Sequence, residues 1–230
     1  MQREQFIGRD IERVDARDKV TGRAKYVGDM SVPGMLVAKV LRSEMPHARI
    51  THLDAAPALK VPGVKAAITS SDFVDNGNFG WPVKDAYILA HRKVRCVGDP
   101  IAAVAAETAG AAEDALAAIE VGLEALPVVA DARRASAPGA PMVPLTPARF
   151  TTGEPGEGNL CDRHILRYGD PTELLETSPV VIEEVYDFAP QEHAYMETEG
   201  VLAIPESDGG DVVYANNQSP FINRNNVAMV

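Results

Sequence analysis

The sequence predicts an α+β protein, and three observations carry that reading. Short apolar runs bounded by Gly, Pro, Asn or Asp recur over the first 130 residues, the pattern of strands between turns. Among them, Ala109 to Glu120 places its apolar residues at helical spacing instead. A proline-rich stretch, Ala130 to Gly158, then separates this part from a second one that carries a hairpin signal.

Each element follows from local chemistry. Pro33-Gly34 makes a turn before Met35 to Leu41, an apolar run with β-branched residues that suits a buried strand. Asp54 to Leu59 forms a short helical turn, closed by Val61-Pro62-Gly63-Val64, and Lys65 to Thr69 is the next strand. Ser70-Ser71-Asp72 can cap one more turn, and Asp75 to Asp85, with its Asn-Gly and Gly-Trp-Pro, reads as a loop. Ile101 to Ala106 is a buried strand. Thr108 caps the helix Ala109 to Glu120, which gathers Ala112, Ala115, Leu116 and Ile119 on one face and turns Glu113 and Asp114 away. Val121 to Leu126 returns as a strand.

Between Ala130 and Gly158 stand Pro138, Pro141, Pro144, Pro147 and Pro155 without periodicity, so extended surface chain is expected there. Gly169-Asp170-Pro171 opens a short helix through Glu176, and the alternation from Val180 to Phe188 predicts a strand. Gly200 to Ile204 and Asp211 to Asn216 form a hairpin through Ser207-Asp208-Gly209-Gly210. A helix starts at Phe221 and reaches Val230 with no C-cap, so further sequence is expected beyond it.

Composition excludes several classes of function. At 230 residues the chain has ample material for a core, and 46% apolar with 24% charged residues is ordinary for a soluble protein. A net charge of −11 argues against a nucleic-acid or anionic-membrane partner, which would need a basic footprint. Only Cys96 and Cys161 are present, too few for an iron–sulfur cluster or a cysteine-rich zinc site. They are expected to be reduced and buried. No apolar run approaches the roughly 18–20 residues needed to cross a bilayer, and the first ten residues hold no apolar h-region. The expectation is a soluble, cytoplasmic protein.

The polar chemistry concentrates near the end of the chain. Pro190 to Glu199 packs three carboxylates, a histidine, an amide and a phenol into ten residues. Asn216-Asn217-Gln218-Ser219 follows closely on the apolar Val212-Val213 strand. The hairpin brings the block around His193 to the same end as Gln218. His193 and Glu197 stand at i, i+4, and on a helix they would share a face fit for metal ligation or acid–base work. Pro190 argues for extended backbone instead, which makes His193 a hydrogen-bonded structural residue and leaves the metal set empty. Gln218, at a strand end before a helix, can aim its amide N–H outward at an acceptor. There is no G-x-G-x-x-G, no P-loop and no G-x-S-x-G elbow.

An ordered set of short segments adds a resemblance to the molybdenum hydroxylases, the large subunits of xanthine dehydrogenases and aldehyde oxidases. The set runs Lys19 to Tyr26, Pro33-Gly34-Met35-Leu36, Arg42-Ser43, Pro46-His47-Ala48, Pro62-Gly63-Val64, Gly98 to Ala102, Leu126-Pro127, Gly169-Asp170, Gln191 to Glu197 and Gln218-Ser219-Pro220-Phe221. Each segment alone is weak, and their order is the signal. The resemblance implies an α/β hammerhead domain with an N-terminal extension over 1–130, a linker over 131–158, and the beginning of a molybdopterin-binding domain over 159–230.

It further implies that Gln218 lies near the molybdenum and donates to an oxygen there. Gln191, Glu192, His193 and Glu197 would support the substrate channel. The cofactor, molybdopterin, would be held only in the complete enzyme, since the catalytic glutamate and most cofactor contacts would lie in later sequence. The implied reaction hydroxylates a carbon of a purine, aldehyde or N-heterocycle with water-derived oxygen. Its electrons would pass to Fe-S and FAD partners, and the remainder of the molybdenum subunit would be the first partner. The competing reading is a non-catalytic assembly or binding module built on the same fold.

Overall fold

The computed structural model describes residues 8–80, 84–147, 149–150 and 152–229. In chain order the elements are α1 (Ala16–Val20), β1 (Val37–Arg42), β2 (Ala48–Asp54), β3 (Val64–Thr69), β4 (Asn78–Phe79), β5 (Ala86–Tyr87), β6 (Lys93–Val94), β7 (Pro100–Ala106), α2 (Ala109–Ala118), β8 (Glu120–Ala125), α3 (Ala132–Ala135), α4 (Pro171–Thr177), β9 (Val201–Pro205), β10 (Asp211–Ala215) and α5 (Pro220–Val227). Strand pairing is antiparallel throughout, with helices set between strands, the α+β arrangement expected. Two compact units interleave in sequence. One comprises Met1–Pro33 and Asp187–Gln218, the other Gly34–Tyr186 and Ser219–Val230.

The larger unit is built on two three-stranded sheets, ordered β1-β7-β3 and β6-β2-β8. Strand β7 supplies both hydrophobic clusters because successive side chains leave a strand on opposite faces. Ala102, Val104 and Ala106 meet Ala112, Ala115 and Ile119 of α2 and its C-cap, while Ile101 packs with Ala48, Ala90 and Val94. Alanine at 102, 106, 112 and 115 leaves no bulk between helix and strand, so backbones approach closely. The Thr108 hydroxyl accepts from the Ala111 N–H at 3.1 Å and caps α2, as its position before the helix predicts. Strands β2 and β8 touch so closely at a register shift that a Cβ on Gly122 would lie 2.7 Å from Thr51 Oγ1. Any larger residue there would have to turn the Thr51 hydroxyl aside.

The proline-rich stretch is less extended than expected. It contains the single turn α3, and the Asn159 side chain ties it down by accepting from Val143 N–H and donating to the Ala135 and Pro141 carbonyls. Phe150 within it is buried. The loop expected at Asp75 to Asp85 contains β4, which pairs with β5 just past its end, and its Trp81, Pro82 and Val83 lie outside the described residues.

Two expectations are corrected. Residues 180–188 do not form a strand. They run exposed, because an alternating sequence becomes a strand only where a neighbour takes its N–H and C=O groups, and no described segment pairs with it. Cys96 and Cys161 are free thiols as expected, but both are exposed rather than buried. Cys96 sits on the turn between β6 and β7, outside the reach of either core cluster.

Candidate functional site

All five residues singled out from the sequence fall in the smaller unit, whose sheet is the β9–β10 hairpin. Its register pairs Val201 with Ala215 and Pro205 with Asp211, so the turn at Ser207 to Gly210 closes one end and leaves Gly200 beside Asn216 at the other. There Asn216 acts as a two-way clip. Its Oδ1 accepts from Gly200 N–H at 2.9 Å, and its Nδ2 donates to the Thr198 carbonyl at 3.1 Å. The chain leaving β10 is thereby fastened to the chain entering β9.

A groove of about 460 Å³ opens at this end, lined by Lys25, Tyr26, Val27, Met30, Glu197 and residues 213–217. Val27 in this wall packs closely on the start of β9, since a Cβ on Gly200 would come within 3.3 Å of Val27 Cγ1. The Lys25–Met30 wall is shaped by a short turn in which Tyr26 N–H donates to Asp29 Oδ2 at 3.1 Å. Amides, a lysine and a carboxylate make the groove polar, able to hold a hydrogen-bonding ligand.

The block from Gln191 to Glu199 is extended, not helical. Glu192 folds over its own backbone, accepting from His193 N–H at 3.0 Å and Ala194 N–H at 3.4 Å, while Ala194 takes a left-handed φ of 49°. That kink removes the i, i+4 geometry a helix would have given His193 and Glu197. Tyr195 donates to Glu199 Oε1 at 3.0 Å, and this hydrogen bond to a carboxylate raises the phenol above its ordinary pKa of 10.0. Among the described residues, no group of three or more His, Cys, Asp or Glu side chains could hold a metal ion.

The structure brings Glu197 into the groove beside Asn216 and Asn217. Gln191, Glu192 and His193 are exposed and do not line it. Gln218 is exposed just past Asn217, and its carboxamide has no hydrogen-bond partner among the described residues. Asn217 is occupied locally, donating to the Ala215 carbonyl at 3.2 Å. The clipping role of Asn216 and the Lys25–Met30 wall were not identified from sequence. The switch from apolar to amide side chains after Val213 was the available signal for Asn216, because asparagine both donates and accepts.

Comparison with known proteins adds the following. Residues 21–127 match the family described as aldehyde oxidase and xanthine dehydrogenase, a/b hammerhead domain, and residues 154–230 match the molybdopterin cofactor-binding domain. The chain is 41% identical over 218 residues to a probable xanthine dehydrogenase subunit of Bacillus subtilis, covering 95% of this chain and 28% of that protein. It is 32% identical to the nicotinate dehydrogenase large molybdopterin subunit of Eubacterium barkeri, covering 97% of this chain and 50% of that one. The chain thus spans between about a quarter and a half of these relatives' length. Among solved structures, quinoline 2-oxidoreductase from Pseudomonas putida 86 superposes with a TM-score of 0.79 at 27% identity, over 99% of this chain and 29% of that one. CO dehydrogenase from Oligotropha carboxidovorans superposes with a TM-score of 0.77 at 27% identity, over 96% and 29%.

Proposed function

Since the chain belongs to the xanthine dehydrogenase and aldehyde oxidase family of molybdenum hydroxylases, we propose that it forms the hammerhead and the beginning of the cofactor domain of such an enzyme's molybdenum subunit. The division proposed is a hammerhead with its extension over 1–130, a linker over 131–158 and the start of the cofactor domain over 159–230. In the complete enzyme the reaction is hydroxylation of a carbon centre in a purine, aldehyde or N-heterocycle. The molybdenum cofactor supplies that oxidation with oxygen derived from water, and Fe-S and FAD partners take the electrons.

The observation that carries the reading is the open end of the β9–β10 hairpin, where Asn216 fastens the strand end that presents Gln218. A neutral amide donor without a competing partner among the described residues suits an oxygen-rich cofactor. Gln218 orients that group through its N–H, and Glu197 with the Gln191–His193 segment supports the approach of substrate. The remainder of the subunit covers the apolar side chains this chain leaves exposed, among them Ile165, Leu166, Ile182 and Val185. Two free thiols suit a reducing, cytoplasmic setting.

The test is Gln218→Ala in the enzyme assembled with the rest of its subunit. A lost hydrogen bond to a group that gains charge costs about 1.5–3 kcal/mol, so kcat should fall roughly ten- to hundredfold with molybdenum content unchanged. Normal turnover at full molybdenum occupancy refutes the role of Gln218. Stoichiometric molybdenum in this chain purified alone refutes the view that most cofactor contacts lie elsewhere.

A further inference from the structure

We infer that Asn216 is a positioning residue for Gln218, and that it works through the paired hydrogen bonds of its carboxamide. The inference rests on the reading of Gln218 given above. Gln218 lies past the end of β10, in chain with no ladder of its own. What fixes its starting point is the side chain of Asn216, because the backbone pairing ends at Ala215 with Val201. The clip replaces the missing ladder: one contact holds Gly200 N–H at 2.9 Å, the other the Thr198 carbonyl at 3.1 Å.

The chemistry selects asparagine. Gly200 offers a donor and Thr198 an acceptor, so the bridging group must accept with one atom and donate with the next. Aspartate, of the same shape, satisfies Gly200 but places a second oxygen against the Thr198 carbonyl, 3.1 Å away in the native arrangement. Alanine leaves both backbone groups without their partner. The same clip spans the two segments of the site, since Glu197 lies one residue before Thr198 and Gln218 two residues after Asn216. Loosening it lets Gln218 drift, and transition-state contacts tolerate little drift.

The experiment has two parts. In the whole chain, amide hydrogen exchange at Gly200 should accelerate in Asn216→Ala, while Asn216→Asp should retain its protection. Unchanged exchange in Asn216→Ala overturns the clip. In the assembled enzyme, with turnover read per bound molybdenum, Asn216→Ala and Asn216→Asp should each lower kcat roughly tenfold with KM little changed. Combined with Gln218→Ala, neither should lower it further, because a residue acting through Gln218 has nothing left to position. Full additivity beside a damaging Gln218→Ala overturns this proposal and leaves the reading of Gln218 standing. A harmless Gln218→Ala removes both.

Discussion

The imidazole of His47, 4% exposed, donates from Nδ1 to the carbonyl oxygen of Pro127 at 2.7 Å, while Leu126 N–H donates back to the His47 carbonyl at 2.9 Å. The pair extends the β2–β8 ladder beyond its last paired residues, Ala48 and Ala125. Because a carbonyl only accepts, Nδ1 must carry the proton. The buried Nε2 has no partner among the described residues.

His47→Ala should therefore destabilise the larger unit. It deletes a buried ring and strands the Pro127 carbonyl, a combined cost of about 1–3 kcal/mol. Denaturant unfolding of the whole chain measures it, and a change below about 0.5 kcal/mol, the size of an ordinary surface substitution, would show the clamp to be dispensable.

Limited proteolysis should cut first within residues 178–190. The proline-rich stretch has the composition of a linker, yet Asn159 and the buried Phe150 hold it to its unit. Residues 178–190 have neither ladder nor burial, so their backbone fits a protease without prior opening. First cleavage between Ala130 and Gly158 would reverse that ranking.

The contrast shows how much of this protein was legible in its sequence. Strands β7 and β8, helix α2 and the β9–β10 hairpin were readable because local pattern and tertiary role agree there. The alternation at 180–188 misled because pattern reports which face is apolar, not whether a partner strand exists. Several segments that carry the family resemblance meet in space. His47 meets Leu126-Pro127, and Ser43 exchanges backbone hydrogen bonds with Gly98 and Asp99. Each is weak alone because its meaning is a contact with another. At the site, the amide cluster after Val213 was visible, but the Lys25–Met30 wall was not. The groove residues it faces are more than 150 positions away in sequence, and nothing local marks that contact.

Both cysteines should react with a thiol reagent in the native chain. They are exposed, so two equivalents should be consumed without denaturant, and Cys96→Ser or Cys161→Ser should each leave one. Reaction that waits for denaturant would mean the thiols are covered.

Stability should also fall as pH drops below about 6.5, through His91. Partial burial, reinforced by the neighbouring Arg92 cation, holds its imidazole below the ordinary 6.5. It lies against the Tyr87 ring, with centroids 5.6 Å apart, and the Arg95 guanidinium stands over the same Tyr87 ring at 6.0 Å. The unfolded chain then binds this proton more readily than the folded one, so protonation favours unfolding. Well above pH 6.5 the imidazole is neutral in both states and contributes no slope. Below it the fold loses stability until the folded imidazole is protonated as well. Glu107 and Glu113, held below 4.5 by hydrogen bonds to Lys65 and Lys39, act in a lower window, where their pairings are lost as pH falls through their depressed values. The two effects separate on the pH axis. Unfolding midpoints measured between pH 7.5 and about 5 should decline for the native chain and flatten for His91→Gln, which keeps a polar side chain but cannot titrate. An undiminished decline in His91→Gln would assign the slope to other groups.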